Sequence, residues 1–247
     1  MKKIKITLAG IGVAAISCLH VSCSRETPER VSPVSTDFNN KAVVQIFEAT
    51  VAATRNYVYV NGSAVTGSTI GAGSVFPASG VGFNVDGGLK SFLVRDTQVT
   101  ITPVTTQIPY SFAQNLNPNA HYTIFLYDTT TSMKQKTVLD KIVIPADTTS
   151  RIRFANFIYS TSAVPNVDVY SYYKGANVFT NVAVTDVTDF VAYPSRIPVD
   201  TLYIRETGTL NLLVKVPISV LTPKRNYTLV NRGSYKGTRA ATFYATY

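Results

Sequence analysis

The chain has 247 residues, and its 23 Lys and Arg outnumber 14 Asp and Glu to give a formal charge of +9. The basic residues are scattered rather than clustered, which argues against a nucleic-acid surface and for an ordinary solvated one. The two cysteines, Cys18 and Cys23, both lie close to the N-terminus, so a chain cut at Cys23 has no intramolecular disulfide and depends on packing for its stability.

Residues 1–22 read as a lipoprotein signal peptide. Lys2, Lys3 and Lys5 open it, an apolar run follows from Ile6 to about Leu19, and small residues precede Cys23. The run is too short to span a bilayer comfortably, which takes about 20 residues, and its flanks are those of an export signal. Cys23 is the preferred lipidation site, because the longer apolar run then lies wholly in the removed segment. Cys18, preceded by Ala15, Ile16 and Ser17, competes with it, and His20 stands where an apolar residue is usual. A plain secretory signal without lipid is the bland alternative. Three of the 23 basic residues lie in this segment, which leaves 20 against 14 acids, a formal charge of +6. The Ser-Cys-Ser ending resembles lipoproteins of the Bacteroidetes lineage, and Ser24 resembles outer-membrane sorting. The expected location is therefore the cell envelope, lipid-anchored to the outer membrane on its periplasmic or surface face.

Residues 23–40 are polar, hold two prolines and show no periodicity, which reads as a flexible tether. Beyond it, short alternating runs rich in Val, Ile, Thr, Tyr and Phe are separated by Gly, Pro, Asn and Asp. That pattern predicts an all-β fold of antiparallel β-sandwich domains, immunoglobulin-like or fibronectin-type. The chain also matches itself. Phe47 to Asn56 and Phe157 to Asn166 share a spacing, and the same offset aligns Leu93-Val94-Arg95-Asp96-Thr97 with Tyr203-Ile204-Arg205-Glu206-Thr207. After a deletion, Leu116-x-Pro118-x-x-x-Tyr122-Thr matches Leu221-x-Pro223-x-x-x-Tyr227-Thr. Three motifs in one order indicate a duplicated domain, 41–146 followed by 147–247.

Comparison of the copies assigns faces. With Asn56 set on Asn166, Asp168 replaces Val58, so Tyr57 and Tyr59 are expected inside with Val167 and Val169, and Val58 outside. Asn61-Gly62 predicts a tight hairpin, with Lys174-Gly175 a weaker version. Tyr122 and Tyr227 read as tyrosine corners, with Leu116 and Leu221 plugging the core below them.

The Asn-Val-Asp-Val-Tyr strand, the hairpin, the strand before Arg-Asp/Glu-Thr and the Leu-x-Pro-x-x-x-Tyr-Thr segment resemble the bacterial domain of unknown function numbered 4397. The resemblance covers most of residues 41–247 as two copies, with Val58 where that family tends to have Asp. It implies secreted or surface-anchored β-sandwich repeats, and it implies no catalytic residues.

Chemistry-bearing groups are few. His121 is the one histidine after the signal, its counterpart is Asn226, and no Gly-x-Ser-x-Gly elbow lies nearby. One imidazole and no spare thiol leave no zinc set, so no metal or cofactor is expected. Asp86, Asp96, Asp128, Asp140 and Asp147 fall at turns or strand ends, where Asp serves the backbone. The Gly71-Ala72-Gly73 stretch is expected to be a loose loop, with a recognition role as the alternative, since long loops on sandwiches commonly carry binding. The candidate ligand contacts are Tyr170, Tyr172 and Tyr173 beside Lys174, since exposed aromatics stack on sugars or anchor interfaces, although alternation sends some of them inward. The expected function is a non-enzymatic recognition or scaffold module that binds a glycan or an envelope protein and no nucleic acid. A structural or adhesion subunit is the alternative, and a glycan-active hydrolase with paired carboxylates a distant one.

Overall fold

The computed structural model describes residues 38–78, 80–98, 107–197 and 199–246. Cys18, Cys23 and most of the tether lie outside the described residues. From Asp37 onward the chain makes one compact unit, and its described residues form strands with no helix. The first half holds β1 (Lys41–Glu48), β2 (Tyr57–Val60), β3 (Ser63–Ala64), β4 (Val75–Phe76), β5 (Phe83–Asp86), β6 (Gly88–Arg95), β7 (Tyr110–Leu116), β8 (His121–Tyr127) and β9 (Lys134–Leu139). The second holds β10 (Ser150–Asn156), β11 (Val167–Ser171), β12 (Ala176–Val182), β13 (Val191–Tyr193), β14 (Val199–Glu206), β15 (Leu212–Ser219), β16 (Asn226–Gly233) and β17 (Arg239–Ala245).

Each half is two facing sheets. In the first, β4-β1-β8-β9, with β5 also on β1, faces β3-β2-β6-β7; in the second, β13-β10-β16-β17 faces β12-β11-β14-β15. Side chains from both sheets fill each core, as with Ile46 and Ile124 against Val58 and Phe92, or Phe154 and Leu229 against Val169 and Ile204. The pairing is antiparallel except for one pair in each half. β1 runs parallel to β8, with Val43 opposite His121, and β10 runs parallel to β16, with Arg151 opposite Asn226.

Turn chemistry follows the sequence closely. Asn61 and Gly62 both have positive φ, at 48° and 83°, and close the β2–β3 hairpin. The Tyr122 hydroxyl accepts the Asn117 N–H at 3.0 Å, and the Tyr227 hydroxyl accepts the Thr222 N–H at 3.0 Å. Leu116 and Leu221 are buried in the two cores. Both corners thus fix the approach to a core strand by one hydrogen bond to the backbone five residues upstream.

The face assignment of β2 is corrected. Val58 is 1% exposed and lies in the core with Val60. The registers explain the error: Val58 pairs with Val94 and Val169 with Ile204, so the copies are 111 residues apart in this strand but 110 apart in its partner. Asp168, opposite Arg205, therefore stands where Tyr57 stands opposite Arg95. A slip of one residue exchanges the faces of a strand.

Both faces of β1, β8, β10 and β16 are buried. A third core, with Phe47, Phe125, Phe157, Val230 and Tyr244, joins the two halves. Phe125 lies 4.8 Å from Phe157 and Phe47 lies 5.3 Å from Tyr244 between ring centroids. Within this interface Arg153 is fully buried. Its guanidinium donates to Asp140 of the first half, to Thr123 Oγ1 at 2.8 Å, and to Thr228 Oγ1 at 2.9 Å. Thr123 in turn donates to Asp140 at 2.7 Å, and the Phe190 ring lies 4.7 Å from the guanidinium.

These contacts set the sense of the halves. Arg153, early in β10, meets Thr123, early in β8, while Phe157, just beyond β10, meets Tyr127 at the end of β8. The halves therefore lie side by side, with β1, β8, β10 and β16 all starting at one end. Phe38 precedes β1 at this near end.

Removing one member of a buried pair leaves an uncompensated charge, so Arg153→Met is expected to cost about 3–5 kcal/mol. Adding Asp140→Leu should restore most of that loss, and urea unfolding should remain a single transition. Additive losses, or two separate transitions, would show that the halves fold independently.

Candidate functional site

The tyrosine hairpin is at the near end. Ser171 pairs with Ala176, so Tyr172, Tyr173, Lys174 and Gly175 form the loop, with Gly175 at φ 62°. Buried Asp200 holds this loop from below. Its carboxylate accepts the Tyr173 N–H at 2.7 Å, the Thr201 N–H at 2.6 Å, Ser171 Oγ at 2.6 Å and the Tyr193 hydroxyl. Burial alone would raise the Asp200 pKa, but these donors outweigh it and bring the carboxyl below its ordinary value. The Tyr193 hydroxyl shifts upward, through burial first and its bond to Asp200 second.

The three candidate tyrosines do not form one platform. Tyr172 and Tyr173 are 71% and 55% exposed in the loop. Tyr170 lies on the outer face of β11 with the Arg205 guanidinium 4.4 Å from its ring centroid, and Arg205 also lies 5.1 Å from Tyr203. None of the three belongs to a core cluster. Asp168, on the same face as Tyr170, is a clasp. It accepts the N–H groups of Asn181 at 2.8 Å and Gly208 at 3.2 Å, the Thr207 hydroxyl at 3.0 Å and the Asn177 amide at 3.2 Å. Burial works against its charge, and these four bonds together still lower its pKa.

At the far end a cleft of about 320 Å³ lies between the halves, lined by Ala49, Thr50, Ala72, Arg232, Ser234 and Ala240 among others. Arg232 ends β16 half-buried, its Nε donating to Thr242 Oγ1 at 3.0 Å. Burial lowers its pKa. Among the described residues no carboxylate lies within 4 Å of this guanidinium.

The Gly71–Ser74 turn makes the opposite wall, and the expectation of a loose loop is corrected. Ala72 N–H donates to Ala53 O at 2.8 Å and Gly73 N–H to Glu48 O at 2.7 Å. Gly73 has φ 91°, and a Cβ there would come within 2.3 Å of Arg232 Nη2. The glycine is what lets the guanidinium lie across the backbone.

Glu48 is fully buried next to this turn. It accepts the Thr50 N–H at 2.9 Å and the Asn56 amide at 2.7 Å, and the Asn56 oxygen accepts the Gln107 amide. Burial, the largest effect, pushes its pKa from 4.5 up to about 7 against those hydrogen bonds.

Asp86 pairs with Lys41, Asp128 with Lys134 at 2.7 Å, and Asp147 accepts the Thr149 N–H at 2.9 Å. The expectation that Asp96 serves the backbone is corrected: it is buried, and neither carboxylate oxygen has a hydrogen-bond partner among the described residues. Among the described residues no three His, Cys, Asp or Glu side chains are grouped to hold a metal. His121 starts β8, and Asn226 starts β16 at the matching place. The sequence offered no signal for Arg232, since only the three-dimensional meeting of residues 71–74 with β16 makes its site. No protein-family model matches the chain, and no curated protein matches it.

The raised pKa of Glu48 means that the folded state keeps a proton which the unfolded chain releases above about pH 4.5. This stability is complete below that pH and is lost as the pH rises to about 7. Glu48→Gln, with the Asn56 and Gln107 amides turned over, should remove a loss on the order of 3 kcal/mol. Urea unfolding of both chains at pH 5 and pH 8 checks this. Parallel pH dependences would mean that Glu48 does not titrate there.

Proposed function

We propose that the chain is a non-enzymatic lipoprotein of the cell envelope, acylated at Cys23, that serves as a recognition or scaffold module. The cleft between its halves would receive an acidic group, carried by a glycan or by an envelope protein. The Arg232 guanidinium carries this reading, because it is half-buried in an open cleft and no carboxylate among the described residues neutralises it. Charged groups removed from water are normally paired, and a guanidinium is suited to bidentate recognition of a carboxylate, sulfate or phosphate. The alanines around it offer an apolar wall for the uncharged part of such a ligand. A sandwich repeat of the kind resembled by family 4397 fits this role, since no catalytic constellation is needed.

A hydrolase reading gains no support from the acids described. Asp140, Asp168 and Asp200 are each engaged by hydrogen bonds that fix strands or loops.

The test is a glycan array and an envelope-fraction pulldown with the chain starting at residue 24. Saturable binding of an acidic glycan should weaken at least about tenfold in Arg232→Gln, as for loss of one charge-assisted bond, and also in Gly73→Ala. One stoichiometric protein partner lost in the same variants would make the module a scaffold. Binding that is indifferent to both substitutions, or no binding at all, would overturn the role given to the cleft.

A further inference from the structure

The near end carries a surface of a different chemistry from the cleft. Val81 and Ile144, 55% and 74% exposed, line an open groove of about 370 Å³ with Ile142, Lys224 and Arg225. Tyr172 and Tyr173 project from the clamped loop at the same end, which the Asp200–Tyr193 contact ties to the start of β10 through the pairing of Tyr193 with Ser150. Among the described residues, the large apolar side chains most open to solvent at the far end are Ile108, Leu210 and Leu212; the others of that class are at the near end. Such a concentration of exposed apolar groups marks an interaction surface.

Charge at this end is lopsided. Lys141, Lys174, Arg196, Lys224 and Arg225 are exposed. Among the described residues at this end, the exposed acids are Asp86, which pairs with Lys41, and Asp147, which is bonded to Thr149. The scaffold does not demand this excess. The turn that reads Asn117-Pro118-Asn119-Ala120 in the first copy becomes Thr222-Pro223-Lys224-Arg225 in the second. Lys224 sits at φ 63°, a left-handed conformation that suits Asn119 better, at φ 60°.

We propose that the near end seats on an anionic phospholipid surface. Val81, Ile144, Tyr172 and Tyr173 enter the headgroup layer, and the surrounding Lys and Arg meet lipid phosphates. Tyrosine suits that layer because its ring is apolar and its hydroxyl stays hydrated, and clustered cations are drawn to anionic headgroups. The occupant follows from where the chain joins the sandwiches. Phe38 lies at this end, and the segment from Cys23 to Phe38 can reach at most about 50 Å. An acyl group on Cys23 would therefore keep this end within reach of the bilayer at high local concentration. The inference rests on the lipid-anchor reading, and it adds that the folded body itself binds the membrane and points the cleft away from it.

The test uses the unacylated chain from residue 24, which retains all three cores. The chain has no tryptophan, so Ile144→Trp gives a single emission reporter. With vesicles of phosphatidylethanolamine and phosphatidylglycerol, its emission should move to the blue and be quenched by brominated acyl chains. With phosphatidylcholine vesicles the shift should be weaker, and added salt should reduce it in the anionic ones. Co-sedimentation of the otherwise unaltered chain should fall at least about tenfold for Ile144→Asp combined with Tyr172→Ser. Unshifted emission together with no sedimentation on anionic vesicles, in chains with native circular dichroism, would overturn the proposal. Palmitate labelling of the full chain and of Cys23→Ser judges the anchor separately, so the two failures are distinguishable.

Discussion

The buried guanidinium of Arg153 fixes the relation between the two halves. A guanidinium can leave water only where acceptors and a counter-charge are already placed for it. Here Asp140 and Thr123 come from the first half and Thr228 from the second. Apolar contacts between Phe47, Phe125, Phe157 and Tyr244 supply the driving force, but apolar contact alone is non-directional. The ion pair selects one register of sheet on sheet. With that register set, the two parallel strand pairs start at the same end, and the molecule acquires a near and a far end.

The polarity has consequences at both ends. At the far end, β16 of one half approaches the Gly71–Ser74 turn of the other, and the cleft under Arg232 exists only because they meet there. At the near end, the two proline turns and the Tyr172–Gly175 loop come together on the side where the chain enters the fold. Function on such a molecule is a matter of which end faces what, rather than of a reacting group.

Legibility in the sequence followed the range of the interactions. The duplication, the Asn61-Gly62 hairpin and the tyrosine corners were readable because each is local: the Tyr122 and Tyr227 hydroxyls reach backbone only five residues away. The all-β class was readable from composition and alternation. The inward face of β2 was misread because the copies differ by one residue within a single strand, a change that motif spacing averages away. Arg153 gave no warning, since an arginine alternating with Ile152 and Phe154 looks like a solvent-facing position of a half-buried strand. Only the burial of the outer faces of β1, β8, β10 and β16 reverses that reading. The grouping of Tyr170 with Tyr172 and Tyr173 followed sequence proximity, whereas the strand ends between them and Arg205 occupies the first ring.

The interface also records how the copies diverged. Strand register sets Arg153 opposite Thr228 and Gln45 opposite Thr123, so Gln45 is the counterpart of Arg153. In the same way Asp140, beyond Leu139, corresponds to Thr246, beyond Ala245. Two halves of the second kind meeting through this surface would set Arg153 against Thr246, and two of the first kind would set Asp140 against Gln45, leaving a buried charge without its partner. A covalent tandem removes that restriction, because each copy can carry one sign. Gln45, buried with no hydrogen-bond partner among the described residues, is the uncharged member of the pair. The charge asymmetry thus specifies association with the other half of the same chain and disfavours association of like with like. Features shared by both copies, the tyrosine corner and the parallel strand pair, belong to the fold. Those found in one copy, Arg153, Arg232, the Asp200 clamp and the Lys224-Arg225 turn, are where the duplicated surfaces took on separate tasks.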